Sequence, residues 1–383
     1  MTLFEPSETQ AAVQKTARAY AQQSLAPDAA RMDREQAFPV EHSRALAELG
    51  LMGVNIPESL GGAEAGAVSY ALAMMEVAQG CASTAVTMAV NNMVAETLVR
   101  FGTDVQKTRY VPEITSGRFT AASFGLSESH CGSDPAAMRT SARRDGSDFV
   151  INGSKQWISA GDRAGVIIVW ARTGAPDSAH KGISCFLVEA GATGLHIGKK
   201  EDKMGLRASS TVALTFEDLR VPASAMLGVE GQGFSIALAA LDGGRIGIGA
   251  QSIGIGTAAM NCAVRYAKER SAFGKPIGEF QALRFMLADV DTELAAARLL
   301  VLRAAVLKEA GRPFTSEGSM AKLFASEKAN RACDISVQIH GGYGYIDEFP
   351  AERHYRDARV TTIYEGTSEI QRLVIARDVL KER

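Results

Sequence analysis

Residues 1–121 carry apolar positions at helical spacing, interrupted by glycines and prolines. Apolar residues that recur every three or four positions predict amphipathic helices, and Gly or Pro between the repeats predicts where each helix ends. The pattern predicts five helices, over residues 8–27, 42–51, 69–79, 82–101 and 103–114. This first part of the chain is therefore predicted to be a helical domain.

Residues 122–231 change to short runs rich in β-branched side chains. Asp-Gly and Asn-Gly dipeptides, which are typical of tight turns, separate the runs. The clearest run alternates Val212, Leu214 and Phe216 with small or hydroxylated residues, as expected of a half-buried strand. Strands are predicted at residues 149–151, 166–170, 183–188 and 212–216, which together form a small β domain.

Helical spacing returns in longer segments over residues 232–383. Helices are predicted at residues 234–270, 281–310 and 316–339, and a final helix is predicted to open at a Ser368-x-x-Gln371 capping box. Helices of this length suit a bundle of antiparallel helices. The order of helices, strands and helices predicts a mostly α fold with a central β domain. It disfavours a doubly wound α/β sheet, in which strands alternate with helices.

One glycine motif could be mistaken for a dinucleotide-binding site. Gly254-Ile-Gly256-Thr-Ala-Ala259 satisfies the GxGxxA pattern. A functional fingerprint of this kind must follow a strand and open a helix. Here the motif lies inside a long helical pattern of small residues, so close packing between helices is the favoured interpretation.

The composition is that of an ordinary soluble globular protein. Of 383 residues, 46% are hydrophobic and 22% charged, and the net charge of −2 gives no global attraction to nucleic acid or to anionic membranes. The N-terminal sequence lacks an export signal, and the compact apolar runs are too short to span a bilayer. We therefore expect a cytoplasmic protein without membrane insertion.

The cysteines and histidines give no sign of a metal site. The five cysteines are odd in number and scattered, without a CxxC pair, and the six histidines are dispersed. This pattern fits reduced thiols better than a disulfide framework or a zinc site. We predict no structural metal.

The segment IYEGTSEIQR, residues 363–372, contains a carboxylate without an ordinary structural role. Glu369 lies in the first turn of the predicted final helix, where an acidic side chain stabilises the helix dipole. Glu365 precedes that helix, on a short corner next to Gly366. It is therefore a candidate functional residue.

Two stretches of the β domain mix large apolar side chains, small hydroxyl residues and glycines. They are FGLSESHCGSD (124–134) and KQWISAG (155–161). This mixture could hold a flat polar ring by backbone contacts, with Trp157 against the ring face and Ser159 as a donor. The alternative is a tryptophan in the core and a serine-rich turn.

Three stretches of the C-terminal part place charged or polar residues beside glycines. Asp242-Gly243-Gly244-Arg245 interrupts a helical pattern and could also be a salt bridge at a helix kink. Residues 270–274 and 338–344 lie at predicted helix ends, where free backbone N–H groups can bind an anionic ligand. His340 alone is more typical of a structural histidine.

These motifs, in this order and spacing, resemble the acyl-CoA dehydrogenase family over essentially the full chain. The matching segments are LSESHCGSD, NGSKQWIS, EDKMGLRASST, LDGGRIGI, ERSAFGKPI, QIHGGYGY, ERHYRDAR and IYEGTSEIQR. The chain looks most similar to the short-chain, butyryl-CoA-type members. The resemblance implies an N-terminal helical domain, a middle β-barrel or sandwich domain and a C-terminal four-helix bundle.

The resemblance implies FAD-dependent oxidation of acyl-CoA thioesters in fatty acid β-oxidation, with Glu365 as the catalytic base. The carboxylate removes the α-proton while the β-hydrogen leaves as hydride to N5 of FAD, and trans-2-enoyl-CoA is formed. Some isovaleryl- and long-chain-type relatives carry the base at the position of Gly244, where glycine cannot serve. Gly366 leaves room for the thioester.

The resemblance also implies the binding residues. Those bordering the flavin are Leu126, Ser127, Gly132, Ser133, Trp157, Ile158 and Ser159. Those reaching FAD across a subunit interface are Arg270, Phe273, Gln281, Gln338, Gly341 and Gly342, with Thr367 and Glu369 at the adenosine part. Ser133, Asp242 and Arg245 would bind the CoA ester. A homotetramer built as a dimer of dimers, with an electron-transferring flavoprotein as electron acceptor, follows from the same resemblance.

One loop departs from the family pattern. Relatives usually have Glu-Pro followed by small residues where this chain reads Glu128-Ser129-His130-Cys131. Without proline the φ angle is not fixed by the ring, and His130 with Cys131 adds bulk near the flavin edge. The geometry of this loop and the acyl preference therefore stay open.

Two other kinds of function fit the same scaffold. One is an enzyme that uses oxygen as acceptor or eliminates a β-substituent such as sulfinate. The other is a non-catalytic protein that binds acyl-CoA or flavin, against which the retained Glu365 speaks. Acyl length, branching and pathway depend on pocket depth and stay open.

Overall fold

The computed structural model describes residues 5–381. The N-terminal region is helical, as predicted. Its helices are α1 (Glu8–Tyr20), α2 (Ala26–Glu35), α3 (Val40–Glu48), α4 (Gly66–Gly80), α5 (Ala82–Phe101) and α6 (Asp104–Thr115). The first is opened by a capping box, in which Ser7 Oγ accepts from the N–H of Gln10 and the Gln10 side chain accepts from the N–H of Ser7.

The prediction that the first helix ends at Pro27 is wrong. A π-helical turn over Ala21–Leu25 joins α1 to α2, and Pro27 lies in the first turn of α2. A proline is tolerated there because its missing N–H is not needed for a hydrogen bond. The helical path ends instead at Gln36, which has a left-handed φ of 51°.

The middle region is a seven-stranded mixed sheet, with strand order β1-β4-β2-β3-β7-β6 and β5 paired to β4. The strands are β1 (Ala121–Gly125), β2 (Ser141–Asp145), β3 (Asp148–Ser159), β4 (Ala164–Arg172), β5 (Ile183–Glu189), β6 (Leu195–Lys200) and β7 (Thr211–Pro222). The four predicted strands lie within β3, β4, β5 and β7. Phe149, Trp170, Phe186 and Phe216 are fully buried and fill the core around this sheet.

The C-terminal region consists of long helices. They are α7 (Gly233–Glu269), α8 (Gln281–Glu309), α9 (Thr315–His340), α10 (Ala351–Arg359) and α11 (Ser368–Val379), with a short hairpin of β8 (Ser271–Ala272) and β9 (Lys275–Pro276) between α7 and α8. Side chains of α4, α7, α8 and α9 share one core, so the first and last parts of the chain pack as a unit around the site described below. The predicted fold class is confirmed.

Helix α7 is continuous through both of its glycine motifs. The Asp242-Gly243-Gly244-Arg245 sequence does not interrupt the helix, which runs unbroken from residue 233 to residue 269, in agreement with the helix predicted over residues 234–270. The GxGxxA motif lies inside the same helix, which rules out a strand before it. A β-carbon added to Gly254 would lie 2.6 Å from Cβ of Ala78, so this glycine allows α7 to approach α4.

The start of the final helix differs from the prediction by one residue. Thr367, not Ser368, is the N-cap of α11, and its hydroxyl oxygen accepts from the N–H of Ile370. Gln371 does not complete a capping box. Its amide donates to the carbonyl oxygens of Glu365 (3.2 Å) and Gly366 (2.9 Å), so it holds the loop before the helix.

Candidate active site

Glu365 lies on a constrained corner between a short 3-10 turn (Val360–Thr362) and α11. Its φ is 54° and that of Gly366 is 87°. A non-glycine residue with positive φ is uncommon, and such conformations cluster at functional sites. The corner is held by the two bonds from Gln371 and by a third, from Nζ of Lys322 to the carbonyl oxygen of Gly366 at 2.7 Å.

The carboxylate of Glu365 is buried and only partly neutralised by its surroundings. Its Oε2 atom is buried and has no hydrogen-bond partner among residues 5–381. Burial raises the pKa of Glu365 from its ordinary value of 4.5 to about 7, although the positive charges of Lys322 and Arg245 act in the opposite direction. A carboxylate with a pKa near neutrality can both accept and hold a proton at physiological pH.

Helix α7 lies against this carboxylate at Gly244. A β-carbon added to Gly244 would overlap Oε2 of Glu365 and lie 3.0 Å from its Cδ, while Sδ of Met93 on α5 would be 3.3 Å away. Tyr364, immediately before the base, donates its hydroxyl to Oε1 of Gln251 on the same helix. The carboxylate of Glu365 therefore fits a space that α7 leaves by having no side chain at position 244.

Arg245 and Asp242 are brought to the same helix face. Nη1 of Arg245 donates to Oδ1 of Asp242 at 2.7 Å and to Oγ of Ser319 at 3.2 Å, and Thr315 donates to the other carboxylate oxygen at 2.7 Å. The predicted salt bridge therefore exists, on an unbroken helix. Nε of Arg245 is buried without a partner in the described part of the chain, and burial lowers the pKa of this guanidinium. A polar group left free in this way suits a ligand.

The residues predicted to border the flavin ring lie at one end of the sheet. The backbone carbonyl of Ser127 accepts from the N–H of Gln156 at 2.9 Å, and that of Ser159 accepts from Ser123 Oγ at 2.7 Å. The pairing of β3 with β7 shifts between Lys155 and Ile158. In this bulge Trp157 has a φ of 64°, and the residue is 62% exposed.

The bulge explains why Trp157 is available to a ligand, because a bulge re-aims the side chain it contains. The side chains of Ile158 and Leu126 are buried, so these two residues can meet a ligand through their backbones. Gly132 and Ser133 are exposed on the loop after β1. An exposed indole face beside open backbone groups fits a flat, hydrogen-bonding ring such as isoalloxazine.

A buried ion pair fixes the loop that departs from the family pattern. Nζ of Lys155 lies 2.8 Å from Oε1 of Glu128, and both side chains are almost fully buried. The same carboxylate accepts from the N–H groups of Arg139 and Thr140, and the lysine also donates to the carbonyl of Leu126 at 3.1 Å. Lys155 and Glu128 were missed as site residues, because sequence alone does not reveal a buried ion pair.

The backbone of this loop is also closed on itself. Glu128 and Cys131 exchange two backbone hydrogen bonds, of 3.0 and 3.2 Å. Glu128, His130 and Cys131 also bring potential metal-ligand atoms within 4.8 Å of one another. Burial raises the pKa of the Cys131 thiol, and both oxygens of Glu128 already accept hydrogen bonds. The prediction of no structural metal stays a prediction.

Five of the remaining predicted cofactor residues line two exposed grooves. An open groove of about 490 Å³ is lined by Arg270, Gly341 and Gly342 together with Tyr266 and His340. A second groove, of about 420 Å³, is lined by Thr367 and Glu369 with Asn330 and Arg359.

The two glycines of the first groove expose their backbone. No atom of the described residues lies within 4 Å of a β-carbon added to Gly341 or Gly342. Gln281 and Gln338 are exposed, and Phe273 is 96% exposed. Open backbone and an arginine suit an anionic ligand.

The three regions each match a family model. Residues 7–118 match the N-terminal domain of acyl-CoA dehydrogenases, residues 123–219 the middle domain and residues 231–380 the C-terminal domain. The chain therefore belongs to the acyl-CoA dehydrogenase family. Membership confirms the predicted family, its oxidoreductase class and its cofactor, FAD.

Individual relatives indicate the short-chain type. The chain is 50% identical over 379 residues to the mitochondrial short-chain specific acyl-CoA dehydrogenase of Bos taurus, covering 98% of this chain and 91% of that protein. It matches butyryl-CoA dehydrogenase from Megasphaera elsdenii with a TM-score of 0.96 and 40% identity, over 99% of this chain and 100% of the other.

A third match concerns electron transfer. A chain in a solved structure of the electron transferring flavoprotein of Acidaminococcus fermentans matches with a TM-score of 0.97 and 41% identity, over 99% of this chain and 100% of that chain.

No helix within residues 5–381 is long and apolar enough to cross a membrane. All five cysteines are free and buried.

Proposed function

We propose that this protein oxidises short- to medium-chain acyl-CoA thioesters to trans-2-enoyl-CoA, with Glu365 as the base. The observation that carries this proposal is the buried, unpaired Oε2 of Glu365, whose pKa is raised to about 7 beside the bare backbone of Gly244. An α-proton of a thioester is only weakly acidic. A carboxylate shielded from water is a far better base for it than a solvated one.

The reaction breaks two C–H bonds. The α-proton passes to the carboxylate of Glu365, the β-hydrogen leaves with its electron pair, and the electrons of the α C–H bond form the new double bond. Bound FAD supplies the two-electron acceptor for the departing hydride. The chain's own contribution is to hold the base, exclude water from it and orient the thioester in the space beside Gly366.

The same proposal assigns the binding residues. Asp242 and Arg245 would contact the CoA ester, with Ser133 at the other side and Gly366 leaving space for the thioester. The free Nε of Arg245 supports this role. Trp157 would cover the flavin ring, supported by its exposed indole in the β3 bulge, and Leu126, Ser127, Gly132, Ser133, Ile158 and Ser159 would hold its edge.

Residues of a second copy would complete the cofactor site. Phe273, Gln281, Gln338, Gly341 and Gly342 are all exposed, which fits contact with FAD bound mainly to another subunit. Arg270, in the same groove as the two glycines, would bind the anionic part. Thr367 and Glu369 line a different groove that would take the adenosine part. From the resemblance to the family, we propose a homotetramer built as a dimer of dimers.

The electron acceptor is proposed to be an electron-transferring flavoprotein. The match to a chain in a solved structure of such a flavoprotein supports this choice. The similarity to short-chain dehydrogenases supports a place in fatty acid β-oxidation. We also propose that the domains divide between residues 121 and 122 and between residues 231 and 232.

Anaerobic incubation with butyryl-, hexanoyl-, octanoyl- and isovaleryl-CoA tests the proposal. Loss of the oxidised flavin absorbance, fastest with a straight short chain, is the expected result. Reoxidation of the reduced enzyme by oxygen is then compared with reoxidation by an electron-transferring flavoprotein. Faster reoxidation by oxygen would indicate an oxidase. Tight binding of every ester without any bleaching would indicate a non-catalytic binding protein and would refute the proposal.

A further inference from the structure

Lys322 is a buried cation next to the candidate base. It lies on α9 and is 0% exposed. Its Nζ donates to the carbonyl oxygen of Gly366 at 2.7 Å. Burial lowers the pKa of Lys322 to about 8, so the fold bears a cost to keep a charged group at this position.

The charges around Lys322 come from four elements. Glu365 on the loop stabilises the charged form of Lys322 most strongly, and Arg245 on α7 destabilises it. Smaller stabilising effects come from Glu369 on α11 and Glu327 on α9. Glu327 is partly exposed and Glu369 is exposed, so water screens the charges of both. The carboxylate that needs a nearby cation is therefore Glu365.

The carbonyl of Gly366 does not itself require a lysine. Gln371 already donates to the same oxygen at 2.9 Å and to the carbonyl of Glu365 at 3.2 Å. Tyr364 is separately anchored to Gln251 on α7. The loop thus has neutral anchors on both sides of the base. A lysine adds what these amide and phenol groups lack, a positive charge aimed at the loop.

We propose that Lys322 is a positioning residue for Glu365, which fixes the loop through Gly366 and provides the positive charge that keeps the base ionised. This inference rests on the proposed role of Glu365. Without Lys322, only Arg245 would oppose the effect of burial on the carboxylate, and the protonated, inactive form would be favoured. Lys322 and burial therefore shift the pKa of Glu365 in opposite directions, and their balance keeps part of the carboxyl group ionised near neutral pH.

The test replaces Lys322 and follows the pH dependence of flavin reduction by butyryl-CoA. Lys322→Met removes the charge and the hydrogen bond, Lys322→Gln keeps a possible hydrogen bond without the charge, and Lys322→Arg keeps the charge. Lys328→Met is the matched control. It lies on the same helix, and its Nζ pairs with Glu293 at 2.8 Å, away from the base.

We expect Lys322→Met and Lys322→Gln to reduce the rate at pH 7 by about tenfold and to move the rate profile to higher pH, because an opposite charge near a carboxylate lowers its pKa. The KM for butyryl-CoA should change little. Lys322→Arg should restore the wild-type profile, and Lys328→Met should leave it unchanged. A folded Lys322→Met or Lys322→Gln variant with the wild-type pH profile would overturn the proposal.

A second readout needs no turnover. The infrared band of the protonated Glu365 carboxyl group, assigned by its absence in Glu365→Gln, is followed against pH in each variant. It should persist to higher pH in the two neutral variants than in wild type or Lys322→Arg. If wild type reduces no flavin with any acyl-CoA, the proposed function fails, while this titration still decides the role of Lys322. Identical titration curves would overturn that role.

Discussion

The Oε2 atom of Glu365 occupies the space in which a side chain on Gly244 would begin. A β-carbon added to Gly244 would overlap that oxygen and lie 3.0 Å from Cδ of the same carboxylate. One turn of α7 and the corner before α11 are thus fitted to each other. The fit explains why a carboxylate at position 365 and a glycine at position 244 occur together in this chain.

Gly244→Ala should displace the base and slow flavin reduction by at least about 10²-fold, since a shift of about 1 Å in a reacting group can cost this much. The control is Gly243→Ala on the same helix. There an added β-carbon would lie 3.3 Å from Nζ of Lys308, the flexible end of a side chain, and should be accommodated. Stopped-flow measurement with butyryl-CoA compares the two. Equal rates for both variants would show that the base does not depend on this fit.

The rate of flavin reduction should increase with pH. As the proposed base, Glu365 would act in its carboxylate form, and burial raises its pKa to about 7. Below that pH the rate should fall about tenfold per pH unit, and above it the rate should level off. Single-turnover measurements from about pH 5.5 to pH 9 check this. A rate independent of pH across that range would contradict a base with this pKa.

Glu365 should also lower the stability of the fold at neutral pH. Its folded-state pKa of about 7 lies above the ordinary 4.5, so the folded chain binds this proton more tightly than the unfolded chain. The resulting stabilisation is fully present below pH 4.5 and is lost as the pH rises to about 7. Glu365→Gln should therefore be more stable than wild type at pH 8, by about 1–3 kcal/mol.

Denaturant unfolding of both proteins at about pH 5 and pH 8 measures this effect. The advantage of Glu365→Gln should grow with pH, because only wild type loses the bound proton. A difference in the free energy of unfolding that stays constant with pH would show that burial does not raise the pKa of the Glu365 carboxyl group.

Lys155→Met should release flavin and destabilise the fold. It leaves the buried carboxylate of Glu128 without its cation, which typically costs about 3–5 kcal/mol. Arg144→Met is the control, because its pair with Glu230 is exposed and should contribute less than about 1 kcal/mol. Flavin content after gel filtration and thermal unfolding are the measurements. A Lys155→Met protein with wild-type flavin content and stability would exclude a positioning role for this pair.

The long elements of the fold could be predicted from sequence because their side chains repeat with a clear period. Helices α5, α7 and α9 were predicted to within about two residues at each end. Strand β2 was missed because its sequence, SARRD, is short and charged. It is a strand because Arg143 and Arg144 pair with Val150 and Phe149 of β3. Helix α10 was also missed, since ERHYRDAR is mostly polar.

Glu365 could be singled out from sequence as a candidate functional residue by its place on a corner, but the residues that support it could not. Nothing local indicates that Lys155 pairs with a buried glutamate 27 positions earlier. Lys322 had a weak signal, because it shares its helix face with the small residues Gly318, Ala325 and Ala329, all buried. A lysine among small buried residues contradicts the apolar pattern of the face, and the sequence alone does not say why. The hydrogen bond from Lys322 to the carbonyl oxygen of Gly366, which only the folded chain shows, indicates a buried cation with a role at the loop.

Addition of butyryl-CoA to Glu365→Gln under anaerobic conditions measures whether the carboxylate at position 365 removes the α-proton. We expect a folded, yellow protein whose flavin absorbance is lost at least about 10²-fold more slowly than in wild type, because the proton acceptor has been removed. Bleaching to completion at the wild-type rate would contradict the assignment of Glu365 as the base.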